Sequence, residues 1–449
     1  MEPEDNSLFG LDSDEQNQLQ EDLRNYISPN AQEDQSRRRA VAVPERFASF
    51  AELPEAKQLK VQRIIADKMG ILDPFFTCHE TMARNTTRIN GKDFRNFATY
   101  DYLGLNGHPE VLEAAQEAMR VFGTSAGASR LVAGERPPHA ALEKAIASIY
   151  EADDAVIFVS GHATNVSTIS TVVGPRDAVY HDALAHNSLI LGVVLSGAAR
   201  YSFPHNDCDA LERLLRQTRA KHERVIIITE GVFSMDGTIA KLPRLIALKQ
   251  EYACFLMVDE AHSLGVLGGT GRGVAEHFGL DPGAVDIWMG TLSKTLCGCG
   301  GYIAGCSDLV GLLKFRSPGF VYSVGMSPPL AAASAKALEI LLREPERAIR
   351  VQELSAFFLR EAKARGFNTG HAEGCAVIPV IVGNSLVAGH MSAVCFENGI
   401  NVPPIMYPVV EEGAARLRFF LSTWHTEEDI LAVLDFMARE LPKAQNKFT

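Results

Sequence analysis

No apolar run in this sequence approaches the ~20 consecutive residues that a membrane-crossing helix needs, so no transmembrane segment is expected. The first ten residues are acidic and carry no apolar signal core, so no secretory signal is expected either. Positive charge is in deficit. Lys and Arg number 43 against 55 Asp and Glu, a net charge of −12, whereas a general nucleic-acid binder shows a basic footprint. Cysteine is sparse: eight in 449 residues, irregularly spaced, as expected of reduced thiols in a cytoplasmic protein. Cys297 and Cys299 form a C-x-C with no second pair, so a zinc site, and a metal centre generally, is not expected. Repeats and long linkers are also missing.

What is present is enough for a large core. Hydrophobic residues make up 46% and charged residues 22%, and the length suits two or three packed domains. The charge is uneven: residues 1–36 hold ten acids and only Arg24 as a base, so this head carries −9 of the −12. Such a segment cannot repay its ordering entropy and is expected to be mostly disordered. A short amphipathic helix over 19–27 fits within it. The head reads as a solvated tail, with a docking segment for a partner protein as the other reading. The expected divisions are the acidic head at 1–45, an N-terminal arm at 46–95, a large domain at 96–335 and a smaller α+β domain at 336–449.

From residue 96 onward short β-branched runs alternate with helical stretches. The runs are 155–160, 177–181, 224–229, 255–259 and 287–290; helices are expected over 209–220, 244–252 and 330–343. This alternation predicts an α/β fold with a mainly parallel, buried sheet. Ligands of such sheets sit beyond the carboxyl ends of the strands. The places to search are therefore Ser160-Gly161-His162, Glu230-Gly231-Val232, Glu260-Ala261-His262 and Thr291-Leu292-Ser293.

The tetrapeptide Asp259-Glu260-Ala261-His262 also occurs in a helicase class. That reading needs a phosphate loop, G-x-x-x-x-G-K-[ST], and none is present. The alternative puts Asp259 at a strand end, where it can pair with a ring nitrogen, with His262 in reach of a neighbouring ring oxygen. About 35 residues on comes Thr291-Leu292-Ser293-Lys294-Thr295, followed by Gly298, Gly300 and Gly301. A desolvated lysine flanked by hydroxyls and glycines suits a Schiff base to an aldehyde cofactor with a phosphate nearby. An aspartate opposite a pyridinium nitrogen points to pyridoxal 5'-phosphate.

Over about residues 50–440 the chain resembles the α-oxoamine synthases, pyridoxal-phosphate enzymes of the fold-type I aminotransferase class. The resemblance rests on the order of Tyr100-Asp101-Tyr102-Leu103-Gly104-Leu105, Gly127-Ala128-Ser129-Arg130, Ser160-Gly161-His162-Ala163-Thr164-Asn165, His186-Asn187-Ser188, Glu230 to Gly237, Asp259 to His262, Thr291 to Lys294, Arg416-Leu417-Arg418 and His425-Thr426. It implies a large domain with a seven-stranded, mainly parallel sheet and a smaller C-terminal domain. It also implies a homodimer with shared active sites and a decarboxylative joining of an amino acid to an acyl thioester. Under it Lys294 would hold the cofactor and move the Cα proton, Asp259 would keep the ring nitrogen protonated, and His262 would bond the ring hydroxyl beside Ser234. His186 would stack on the ring and help orient the thioester. Gly161 and His162 would present backbone N–H groups to the phosphate, with Thr291 and Ser293 adding hydroxyls. Arg416 would clamp the substrate carboxylate, with Tyr100 beside the substrate; a structural role for Arg416, leaving the clamp to Arg418, is the other reading. His139 and His425 read as structural, and Cys297 and Cys299 as buried packing.

Three departures stand out. Tyr100 replaces the Asn of many members and resembles the serine palmitoyltransferases. Thr238 replaces an Asp in the turn after Gly237. Val324, in the loop 322–329, replaces a threonine that reaches the partner subunit's phosphate in relatives. The closest resemblance is therefore to serine palmitoyltransferases and to members tied to polyketide or fatty-acid pathways. Serine, glycine and alanine all stay open as the amino acid, and coenzyme A or a carrier protein as the thiol. Another pyridoxal-phosphate reaction, such as transamination, and a non-catalytic partner subunit are the competing readings.

Overall fold

The computed structural model describes residues 13–27, 44–68 and 75–448. Its first strands, β1 (Thr86–Ile89) and β2 (Lys92–Asn96), form a hairpin. The turn is Asn90-Gly91, both with positive φ, as a tight two-residue hairpin requires. Seven further strands build the main sheet: β3 (Asp154–Phe158), β4 (Ala178–Asp182), β5 (Ala199–Phe203), β6 (Val225–Glu230), β7 (Phe255–Asp259), β8 (Ile287–Thr291) and β9 (Gly301–Gly305). Their spatial order is β3-β9-β8-β7-β6-β4-β5. β9 runs antiparallel to both neighbours and the other pairs are parallel.

β4 and β6 are buried along their whole length, because helices cover both faces of a parallel sheet. Side chains alternate between two cores. Val225 and Ile227 join the larger one, and Ile226 and Ile228 the smaller one on the opposite face. The five expected strands are all present, each within two residues of its expected ends. The expected helices form as Cys208–Thr218, Leu242–Glu251 and Pro328–Arg343. The last packs on helices Pro109–Phe122 and Pro137–Ile149.

The C-terminal part holds β10 (Val377–Gly383), β11 (Ile400–Asn401), β12 (Pro404–Ile405) and β13 (Ala415–Phe420). β13 sits between β10 and β12 in an antiparallel sheet, and β11 joins β2 of the hairpin. β13 is buried throughout, arginines included, and it carries Arg416 and Arg418 on one face.

Part of the acidic head is helical rather than disordered. Ser13–Ile27 forms one helix, with Leu19 buried and the Asp22 carboxylate 3.5 Å from Lys68 at the end of helix Pro54–Lys68. The rest of the segment expected to be disordered, 1–12 and 28–43, lies outside the described residues. Among the described residues no helix is long and apolar enough to cross a membrane.

Candidate active site

The carboxyl ends of β3, β6, β7 and β8 converge on one spot. β7 ends at Asp259, which is buried. Its Oδ1 accepts from the Ala261 N–H at 2.9 Å and its Oδ2 from Asn165 Nδ2 at 2.9 Å. These bonds fix the carboxylate plane before any ligand arrives. The turn after β7 then places His262 between two partners. Its Nδ1 lies 2.6 Å from the Tyr102 hydroxyl and its Nε2 2.6 Å from Lys294 Nζ. Burial, with the Lys294, Arg418 and His186 charges, pushes the His262 pKa well down, so the ring is neutral.

Lys294 follows β8. Burial pushes its pKa down to about 8, against the pull of Asp259 and Glu230 and with some help from Arg418. A neutral amine is the nucleophile that an aldehyde needs. Loading of the cofactor-free protein with pyridoxal phosphate should therefore speed up as pH rises towards about 8 and level off above it. Stopped-flow absorbance from pH 6 to 10 checks this. A lysine titrating near its ordinary value of about 10.4 would instead keep the rate climbing to the top of that range.

His186 caps helix Asn187–Ser196. Its backbone N–H donates to Glu230 Oε1 at 2.7 Å, at the end of β6, and its Nδ1 lies 2.7 Å from Ser188 Oγ. After β6 a tight loop closes through Gly237, whose positive φ suits glycine. The Phe233 N–H donates to Thr238 O and the Gly237 N–H to Phe233 O, so the turn forms although Thr238 replaces the usual aspartate. Thr238 Oγ1 instead meets His205 Nε2 at 2.8 Å.

That loop separates the two arginines, and their contacts differ. Arg416 Nη1 donates to Asp236 Oδ1 at 2.7 Å and to Met235 O at 2.9 Å, and its Nε to Ala414 O at 2.9 Å. Its guanidinium is neutralised and held by the protein itself. Arg418 donates from Nη1 to Ser234 O at 3.1 Å, lies over the Phe420 ring, and keeps a buried Nε with no partner among the described residues. Its charge acts on Lys294, His262 and His186. A buried donor without an acceptor is costly unless a ligand supplies one. Ser234, expected beside the ring hydroxyl, thus meets Arg418 through its carbonyl.

The other end of the site is built from glycines. Ser160 caps helix Gly161–Val172, its Oγ accepting from the Ala163 N–H at 3.3 Å. The first-turn amides of Gly161 and His162 project from the helix end, as such groups must, and that end favours an anion. A Cβ on Gly161 would sit 2.9 Å from Thr291 Oγ1, and one on Gly301 2.7 Å from Gly161 Cα. Only glycine permits this close approach of helix to sheet. Thr291 Oγ1 is 2.8 Å from Ser293 Oγ and donates to Gly300 O at 3.0 Å.

A cavity of about 300 Å³ opens beside Lys294, lined among others by Tyr100, Asp101, Ser293 and Cys297. Lys294 Nζ lies 5.7 Å from the centre of the Tyr100 ring. Cys297 packs its thiol 3.6 Å from Asp101 Oδ1, but Cys299 is exposed, which corrects its reading as buried packing. His139 and His425 are buried with both ring nitrogens bonded to backbone groups. Sequence reasoning missed three functional neighbours: Tyr102, which holds His262, Asn165, which holds Asp259, and Glu230, which holds His186. All three stand inside the motifs already noted, and their burial as polar residues is the signal that marks them.

An amine of lowered pKa, a buried carboxylate fixed on two N–H donors and a glycine cradle at a helix start match the aldehyde, ring nitrogen and phosphate of pyridoxal phosphate. Fold and site together define a pyridoxal-phosphate enzyme of fold-type I. The chain belongs to the aminotransferase class I and II family, whose model matches residues 92–436. Within it the chain is similar to the 8-amino-7-oxononanoate synthase of Fervidobacterium nodosum, 41% identical over 363 residues, 80% of this chain and 90% of that protein. The Symbiobacterium thermophilum enzyme of that name is 40% identical over 356 residues, 79% of this chain and 90% of that protein. Among solved structures, serine palmitoyltransferase from S. paucimobilis superposes with a TM-score of 0.84 at 27% identity, covering 88% of this chain and 99% of that one. The Sphingomonas wittichii serine palmitoyltransferase gives 0.83 at 26%, covering 88% and 99%. As in the α-oxoamine synthases, the cofactor is pyridoxal phosphate and the reaction is the decarboxylative condensation of an amino acid with an acyl thioester.

Proposed function

We propose that Arg418 clamps the amino-acid carboxylate, that Lys294 removes and returns the Cα proton, and that Asp259 and His186 flank the cofactor ring. The cofactor supplies the electron sink for the pair left at Cα. Asp259, fixed by Ala261 and Asn165, holds a proton at the ring nitrogen. His262 is kept neutral by its burial and the neighbouring positive charges and is held in place by Tyr102, beside the amine of Lys294. Gly161, His162, Thr291 and Ser293 take the phosphate, and Tyr100 borders the substrate. The carbon nucleophile then attacks the thioester carbonyl, the thiol leaves, and carbon dioxide is lost from the β-keto acid. Coenzyme A and a carrier protein both fit as the thiol.

The observation that carries this reading is the contrast between the arginines. Arg416 has its acceptors, whereas Arg418 keeps a buried donor without one. Lysine keeps the charge but lacks the planar fork. Arg418→Lys should raise the amino-acid KM by about 10-fold or more, one charged hydrogen bond's worth, with the thioester KM little changed. Arg416→Lys should leave the amino-acid KM within about threefold, since its lost bond is to Asp236. Steady-state kinetics with each substrate varied in turn decides; the reverse pattern would restore Arg416 as the clamp.

The protein is proposed to be a cytoplasmic homodimer. Its eight cysteines are all unpaired, which suits a reducing compartment. Tyr322 and Val324 are exposed, in a loop tied to the preceding chain where the Gly325 N–H donates to Ala128 O. An apolar, solvent-facing loop ahead of Pro328 suits burial by a second copy. Sedimentation at micromolar concentration should show the dimer mass; a fully active monomer would refute the shared site.

A further inference from the structure

Asp259 and His186 are joined by an unbroken chain of hydrogen bonds that no role given so far uses. Asn165 Nδ2 lies 2.9 Å from Asp259 Oδ2 and 3.0 Å from Ser188 Oγ. Ser188 Oγ lies 2.7 Å from His186 Nδ1, and the Ser188 backbone N–H donates to that same nitrogen at 3.3 Å. Asn165 and Ser188 are buried.

The direction of every bond in this chain follows from the two ends. An ionised carboxylate only accepts, so Asn165 must turn its NH₂ group towards Asp259. Turned the other way, its carbonyl oxygen would face the carboxylate, acceptor against acceptor. The cost of the orientation is visible: Asn165 Oδ1 is buried with no partner among the described residues. The second N–H of that amide then points to Ser188 Oγ, which accepts it and has its own proton left to donate. At the far end a backbone N–H already donates to His186 Nδ1, and a backbone amide cannot reverse. Nδ1 is therefore an acceptor, and the Ser188 hydroxyl donates to it as well.

We propose that Asn165 and Ser188 are positioning residues that form a one-way relay from Asp259 to His186, holding the imidazole with Nδ1 bare and its proton on Nε2. The inference rests on the proposed placing of Asp259 and His186 about the cofactor. Its consequence is that His186 meets the substrates as a hydrogen-bond donor through Nε2 and not as a base. A donor beside the ring suits the thioester carbonyl, whose oxygen gains negative charge when carbon attacks it. Burial, which lowers the His186 pKa, agrees with a neutral ring.

Two measurements on the holoenzyme test this. In protein labelled with ¹⁵N-histidine, the His186 signals, assigned by their loss in His186→Gln, should show an unprotonated Nδ1 and a protonated Nε2. Ser188→Ala removes the hydroxyl but leaves Asn165 on Asp259. Its condensation rate should fall by about tenfold, the value of one hydrogen bond, while Cα deuterium exchange of the bound amino acid falls less than about twofold. Ser188→Thr, which keeps the hydroxyl, should recover the condensation rate. A proton on Nδ1 in the parent overturns the relay, whether or not the variants fold. Equal losses in exchange and condensation, or no loss in either, overturn it too. His186→Ala reports separately on the reading beneath: an unchanged condensation rate there would remove His186 from the site whatever its tautomer.

Discussion

Replacing Lys294 by alanine should cut turnover by about 10³-fold or more, since both the amine proposed to carry the cofactor and the group proposed to move the Cα proton are lost. The fold should survive. Lys294 follows β8 in a turn held by backbone bonds, Cys297 N–H to Lys294 O and Gly298 N–H to Leu292 O, which the substitution leaves intact. The side chain's hydrogen-bond partner among the described residues is the His262 imidazole, which keeps Tyr102. Cofactor should still bind through the cradle at Gly161 and Thr291, but without the visible band of a cofactor joined to an amine. Product formation by the variant and its absorbance spectrum check the two halves. A variant working within about tenfold of the parent would mean that the proton is moved by another group.

The second large effect is expected for Asp259→Asn. The structure gives two reasons. An amide cannot balance a protonated ring nitrogen, so the electron sink at Cα weakens; losing one such electrostatic partner costs on the order of 10²–10³-fold. The amide also fits its own surroundings badly. Both Asp259 oxygens accept N–H groups, from Ala261 and Asn165, and an Asn must either aim its NH₂ at one of these donors or force Asn165 to turn over and give up its N–H to Ser188. That mismatch should lower stability by about 1–3 kcal/mol. Cα exchange in deuterated water should slow by at least about 10²-fold while amino-acid binding, which we propose rests on Arg418, persists. Thermal unfolding measured alongside separates lost chemistry from lost fold. Unchanged exchange would show that Asp259 does not face the ring nitrogen.

The fold was legible where the chain repeats a simple pattern. The β-branched runs that became β4, β6, β7 and β8 are buried strands with few other readings. β5 and β9 were missed for opposite reasons. β5, Ala-Arg-Tyr-Ser-Phe, is an edge strand with exposed polar positions and a weak apolar signal. β9, Gly301–Gly305, follows Gly298 and Gly300 and looks like loop. Its glycines are there because Thr164 and Gly161 approach too closely for a Cβ on Gly301, and the Asp286 carbonyl too closely for one on Gly305.

Lys294 and Asp259 stand out in the sequence because the proposed chemistry demands one residue type at each. Sequence alone does not separate residues between which tertiary contact decides. Arg416 and Arg418 share one face of β13 because strand side chains repeat every two residues. What separates them is Asp236, which arrives from a loop 180 positions earlier in the chain. Tyr102 and His262 likewise meet across 160 positions, and Asn165 and Asp259 across 94. In the acidic head the pattern over 19–27 already suggests a short helix. The observed one begins earlier, at Ser13, where composition argues for disorder; Leu19 finds a buried place and Asp22 lies near Lys68.

Reduction of the holoenzyme with borodeuteride, followed by proteolysis and mass spectrometry, tests the assembled site most directly. The pyridoxyl group should be fixed to the peptide that carries Lys294, at one equivalent per chain, and adding a turnover-competent amino acid before the reductant should move it off the protein. A label on another lysine, or one that amino acid fails to displace, would contradict the placing of Lys294 at the centre of the reaction.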